Sequence, residues 1–180
     1  IVEGKNDEPR FIEQLLSKFY PASNFKIYSY EANLHMLASR LENDYFDFEE
    51  DELDILLFLR SYETKYKKIF DLKYTDVFLI FDFEPQHPDL HFDTIQKMIR
   101  YFNQSDERGT LFINYPMMQS YRHLKALPDN AFWQTRLYKQ DFKHYKEIVS
   151  NERFNNDIST YDYTTFVSLA FHHLTKLLLI

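Results

Sequence analysis

Asp76-Val77-Phe78-Leu79-Ile80-Phe81-Asp82-Phe83-Glu84 is the stretch that decides the fold: a continuous apolar run closed by carboxylates. A run of this kind, without polar alternation, fits a parallel strand buried on both faces. A segment of similar make-up opens the chain, Ile1-Val2-Glu3-Gly4-Lys5-Asn6-Asp7, again apolar residues giving way to acids. Each is followed by a helical pattern. Strand ends in a parallel α/β sheet share one edge, so the two acidic clusters can meet there and hold a divalent cation.

The rest of the chain alternates in the same sense. Asp7-Glu8-Pro9-Arg10 has the acids and the proline of a helix start, and Phe11, Ile12, Leu15, Leu16 and Phe19 recur at helical spacing up to Pro21. Residues 25–30 alternate as a strand, and Leu34, Leu37, Ala38 and Leu41 mark a short helix. An acidic stretch at 42–52 precedes a longer helix at about 53–70. After the loop at 84–89, Phe92, Ile95, Met98, Ile99 and Phe102 predict a helix, residues 110–114 a strand, and the chain from Met117 onward more helix. The expected architecture is α/β, a mainly parallel sheet flanked by helices. It divides into a core at 1–116 with a helical insertion at about 42–72, and a helical C-terminal extension at 117–180 packed on it.

Composition narrows the function. The 180 residues suffice for one domain, and 44% hydrophobic content supports a packed core. With only Gly4 and Gly109, neither type of glycine-rich phosphate loop can be built. A net charge of −7 argues against a broad basic face for nucleic acid, leaving a local patch or a metal bridge. No cysteine is present, which excludes disulfides, thiolate catalysis and Cys-type zinc sites and is compatible with a cytoplasmic protein. No run approaches the roughly 20 apolar residues of a membrane span. A chain that opens on Ile1 inside a strand reads as a stretch of a longer protein.

Metal-dependent phosphoryl chemistry needs two or three carboxylates on rigid elements, holding Mg²⁺ or Mn²⁺ through oxygen. Glu3, Asp82 and Glu84 meet that need; in an extended strand Asp82 and Glu84 would share a face. One strand-end acid alone more often caps a helix or faces solvent; the matched pair shifts the balance. Lys5 would place a cation beside the site. Arg10, Arg122, His123, Lys125 and Arg136 are candidate phosphate contacts, with Tyr115 and Tyr121 to stack bases. Each of these taken singly is an ordinary surface charge or core aromatic. His87 and His91 lie in a loop broken by Pro85 and Pro88, without the helical face of a zinc motif. His172-His173 reads as packing. The apolar end Leu177-Leu178-Leu179-Ile180 must pack into the core or meet another chain, either a second copy or a protein partner.

Val2-Glu3-Gly4-Lys5-Asn6-Asp7 resembles the first motif of the TOPRIM domain, and the Asp82-Phe83-Glu84 end of the second run is similar to its Asp-x-Asp motif. That family includes topoisomerases, primases, ribosomal RNA maturases and the overcoming-lysogenization-defect nucleases of phage defence. Glu84 departs from it, standing where Asp is usual; the added methylene moves the carboxylate by about 1.5 Å. The resemblance implies a Rossmann-like TOPRIM fold and a Mg²⁺- or Mn²⁺-dependent nuclease acting on DNA or RNA, in antiviral defence. It makes Glu3 the general acid/base or a metal ligand, Asp82 and Glu84 metal ligands, and Asp7 an auxiliary ligand. Residues 114–123 resemble the strand-to-helix turn that follows the metal site in such nucleases. The competing expectation is a non-catalytic TOPRIM-like module that binds and regulates a protein partner.

Overall fold

The run around Leu79 forms β1 (Phe78–Asp82), and the run after Ser105 forms β3 (Gly109–Asn114); they pair in parallel with Asp82 opposite Asn114. A parallel pair needs a crossover, and α5 (Phe92–Tyr101) supplies it. Gly109 opens β3 at φ +87°, a conformation that strains any residue with a Cβ. A two-residue strand, β2 (Asn103–Gln104), pairs antiparallel to β3, so the sheet order is β1-β3-β2 and the sheet is mixed. The computed structural model describes residues 1–62, 67–88, 90–152, 154 and 157–179.

On the other side of β1 lies the N-terminal segment. Val2 bridges in parallel to both Ile80 and Ser29, with Val2 N–H donating to Tyr28 O (2.8 Å) and Ile80 N–H to Ile1 O (2.9 Å). The strand expected at 25–30 reduces to this bridge. Its neighbour is only as long as residues 1–3, because at Gly4 the chain turns away toward α1 (Asp7–Phe19). Glu3 is thereby left at the same sheet edge as Asp82.

Leu79 and Phe81 point into the main core with Tyr30, Leu37 and Leu41 from one side of the chain and Ile95 and Met98 from α5. Full burial of each contributes about 1.5–3 kcal/mol. It also pins the register, since a one-residue slip would turn Leu79 and Phe81 outward and carry Asp82 off its position. The opposite face is thinner: Phe78 is 41% and Phe112 50% exposed, with ring centroids 5.9 Å apart. β1 is therefore covered fully on one face and on the other only toward Asp82, rather than on both along its length as its apolar run suggested.

Seven α-helices occur among the described residues, completed by α2 (Leu34–Asn43), α3 (Ile55–Tyr62), α4 (Lys67–Phe70), α6 (Tyr145–Glu152) and α7 (Tyr163–Leu178). Asn33 caps α2 by accepting the Met36 N–H at 2.9 Å, and Asp162 caps α7 by accepting the Thr165 N–H at 2.7 Å. Within the expected helical insertion, residues 45–54 form turns instead. Asp47, Asp51 and Asp54 accept the N–H groups of Glu49, Asp47 and Leu56 at 2.8–2.9 Å, and short acids that bind nearby backbone donors compete with a helix. The longer helix foreseen at about 53–70 is found as α3 and α4 on either side of 63–66, which lie outside the described residues. Past Met117 the helical expectation gives way to 3-10 turns at Met118–Arg122, Phe132–Gln134, Lys139–His144 and Ile158–Thr160, with α6 and α7 the only longer helices described there. A second apolar cluster joins Leu124, Phe132, Tyr161, Phe166 and Leu169 to Phe11, Leu15 and Phe19 of α1. No helix among the described residues is long and apolar enough to cross a membrane.

Candidate carboxylate site

The two acidic clusters meet at the sheet edge. Glu3 Oε2 accepts the backbone N–H of Asp82 at 3.1 Å, although 79 positions separate them. Asp82 is 3% exposed, and its Oδ1 accepts from Met118 N–H (2.7 Å) and Asn114 Nδ2 (3.1 Å). Asn114 is positioned by strand register, and Met118 by the 3-10 turn that leaves β3. Asp76, at the other end of the second run, hydrogen-bonds Ser105 Oγ and takes no part.

β1 ends at Asp82, so the extended spacing that would align Asp82 with Glu84 is not realised. Glu84 sits at φ +46°, its N–H donating to Pro116 O (3.1 Å) and its carbonyl accepting from His87 N–H (2.9 Å). A left-handed glutamate costs roughly 1–2 kcal/mol, and such strain persists where the surroundings enforce it. The turn nonetheless leaves Glu84 close enough to act electrostatically on Glu3.

A fourth acid joins them that the sequence reading passed over. Glu8, in the first turn of α1, is 9% exposed and raises the carboxyl pKa of both Glu3 and Asp82. A Cβ on Gly4 would stand 2.0 Å from Glu8 Oε2, so the first of the two glycines is what admits this carboxylate. The signal was available: Glu8 shares a helical face with Phe11, Ile12, Leu15 and Phe19, at spacings of three, four, seven and eleven. Asp7, chosen for its resemblance to a motif, is exposed and pairs with Arg122 at 3.1 Å.

Burial first, and charge crowding after it, shift the carboxyls of Glu3 and Asp82. Burial pushes the Glu3 carboxyl up to about 8, the Asp82 N–H opposes this, and the charges of Asp82, Glu84 and Glu8 add to it. Burial likewise raises Asp82 to about 6, against the pull of its hydrogen bonds to Asn114 and Met118 and the field of Lys146 from α6. At neutral pH Glu3 therefore holds a proton while Asp82 is largely ionised. Among the described residues, no three His, Asp or Glu side chains stand at metal-cage spacing.

The other predicted residues fall elsewhere. Lys5 is exposed and pairs with Glu31 at 2.7 Å, and Arg10 is exposed on α1. Arg122 is committed to Asp7, and His123 is buried with its Nδ1 3.2 Å from the Tyr145 hydroxyl. Arg136 donates to Trp133 O, and Tyr121 packs on Phe11 with centroids 4.4 Å apart. His87 stacks on His35 and His91 pairs with Glu42 at 3.0 Å. Tyr115 remains 63% exposed beside Phe83.

Protein-family models, curated proteins and solved structures offer no match to this chain.

Proposed function

We propose that this chain is a TOPRIM-like, Mg²⁺- or Mn²⁺-dependent nuclease hydrolysing phosphodiester bonds of DNA or RNA. The observation that carries this reading is the Glu3–Asp82 contact at the ends of two adjacent parallel segments, with Glu8 and Glu84 in electrostatic reach. The parallel succession of residues 28–30, residues 1–3, β1 and β3 supports the TOPRIM-like arrangement.

The donor set fits a hard divalent cation: all four side chains are carboxylates, and beside burial the charges of Asp82, Glu84 and Glu8 raise Glu3 while that of Glu8 raises Asp82. Asp82, Glu84, Glu8 and Glu3 would hold the ion. When bound, such an ion neutralises phosphate charge and activates water as a nucleophile. The protein's own residues do the remainder. Asn114 and the Met118 N–H fix the Asp82 carboxylate in place. Glu3, protonated below about pH 8 in the metal-free site, would give up that proton on binding the ion, so metal affinity should rise with pH. Lys146 directs positive potential toward the cluster, where charge develops on the phosphoryl group.

Incubating the purified protein with nucleic acids and Mg²⁺ or Mn²⁺ tests the proposal. Cleavage by wild type that Asp82→Asn and Glu3→Gln abolish is the expected result; equal cleavage by all three would exclude this site.

A regulatory module bound to a protein partner is the second reading. It is favoured by α7, on which Phe171, Leu174, Leu177 and Leu178 are 60–86% exposed. Complex formation without any Mn²⁺ binding would support it over the nuclease.

A further inference from the structure

Beside the carboxylates lies an open cleft of about 340 Å³, lined by Glu84, Gln86, Phe142, Lys143, Lys146 and Glu147 among others. It joins the site directly, since Glu84 belongs to both and Lys146 acts on Asp82. Its chemistry differs from that of the cluster. Lys143 and Lys146 are exposed, and neither has an ion-pair partner among the described residues. The Gln86 side-chain oxygen is buried and has no hydrogen-bond partner among the described residues. Phe142, in the wall, meets Tyr115 edge-on with centroids 6.1 Å apart, and Tyr115 packs on Phe83 at 5.8 Å. Tyr115 is thus an exposed ring supported by Phe83 and by Phe142 of the cleft wall.

We infer that this cleft takes an unpaired nucleic-acid strand, with Tyr115 stacking one base, Gln86 meeting a base edge and Lys143 and Lys146 contacting phosphates on the approach to the carboxylates. The inference rests on the nuclease reading of those carboxylates and names its substrate class. An exposed ring can stack only on a base whose face is open, which a continuous duplex does not offer. A duplex binder also spreads many phosphate contacts over a broad basic face. Here the net charge is −7 and the unpaired cations of the cleft are two lysines. An amide side chain offers both a donor and an acceptor to a base edge.

Fluorescence anisotropy tests this with labelled single-stranded DNA and RNA of about 12 nucleotides, a length near the upper range of a one-domain site, and with a duplex of the same sequence. Binding is measured in Ca²⁺ to separate it from turnover. A single strand bound at least about tenfold tighter than duplex is expected, the DNA and RNA arms showing which sugar is preferred. Two phosphate contacts give a slope of log K against log salt near −1.4, and Lys146→Ala should flatten it by about 0.7. Tyr115→Ala should weaken single-strand binding roughly 5- to 100-fold, and Tyr115→Trp should restore it, which a merely structural tyrosine would not allow. Duplex bound as tightly as single strand, or Tyr115→Ala and Lys146→Ala both binding like wild type, overturns the inference. Because no cleavage is involved, strand binding can succeed where Mg²⁺-dependent cleavage fails. Conversely, cleavage indifferent to Tyr115→Ala and Lys143→Ala would remove the cleft and keep the nuclease.

Discussion

Replacing Glu3 by Gln should make this protein more stable at alkaline pH while disabling its site. Burial first, and then the charges of Asp82, Glu84 and Glu8, raise the folded Glu3 carboxyl from an ordinary 4.5 to about 8. Between those values the unfolded chain has released the proton and the folded chain retains it, so unfolding is favoured increasingly as pH rises. Stability linked to Glu3 is fully present below about pH 4.5 and is lost as pH climbs through 8. At about 1.4 kcal/mol per pH unit the window amounts to roughly 5 kcal/mol. Water reaching the half-buried carboxylate screens this to the order of 2–4 kcal/mol. A glutamine carries no charge yet keeps an oxygen for the Asp82 N–H. Urea unfolding of wild type and Glu3→Gln in chelator, at about pH 5 and about pH 8.5, measures the difference. The two should be nearly equal at the lower pH and separated by about 2–4 kcal/mol in favour of the variant at the higher. An offset independent of pH, or a variant less stable at pH 8.5, would refute the electrostatic account of the site.

Other outcomes follow from the same geometry. Gly4→Ala places a Cβ 2.0 Å from the Glu8 carboxylate, the mobile end of a flexible side chain; it should cost less than about 1 kcal/mol of stability but lower Mn²⁺ affinity about tenfold or more, read by calorimetry. Glu84→Asn suits the left-handed backbone at φ +46°; thermal unfolding should show stability unchanged or raised by up to about 1 kcal/mol, and nuclease assays should show activity lost. Phe171→Glu on the exposed face of α7 should leave folding intact and, if that face meets a second chain, reduce the molecular mass seen by light scattering.

Much of the site was legible because strand ends and helix faces have fixed periods. The run at Leu79 marked β1, and its terminal Asp82 was readable as an edge carboxylate. Helical phase would have selected Glu8 over Asp7, had the apolar stripe of Phe11 and Leu15 been extended one turn toward the N-terminus. Glu84 was placed at the start of a loop and aligned with Asp82 only on the condition of an extended strand, because nothing local announces a positive φ at a glutamate. The turn there is enforced by partners distant in sequence, Pro116 O among them. Lys146 was invisible for a related reason: it lies 64 positions from Asp82 on a short helix whose place is set by packing on the 3-10 turn Met118–Arg122. The helical insertion expected at about 42–72 took in too much at its start, where Asp47 and Asp51 bind nearby backbone N–H groups rather than support a helix.

The central claim is that Glu3 and Asp82 share a divalent cation. A crystal grown with Mn²⁺, with data collected for the anomalous signal of the metal, tests it most directly. The account predicts a peak within about 2.0–2.6 Å of oxygens from both residues, with Glu8 or Glu84 turned in to complete the set. A crystal without a peak at this edge, or with the Glu3 and Asp82 carboxylates more than about 8 Å apart, would contradict it.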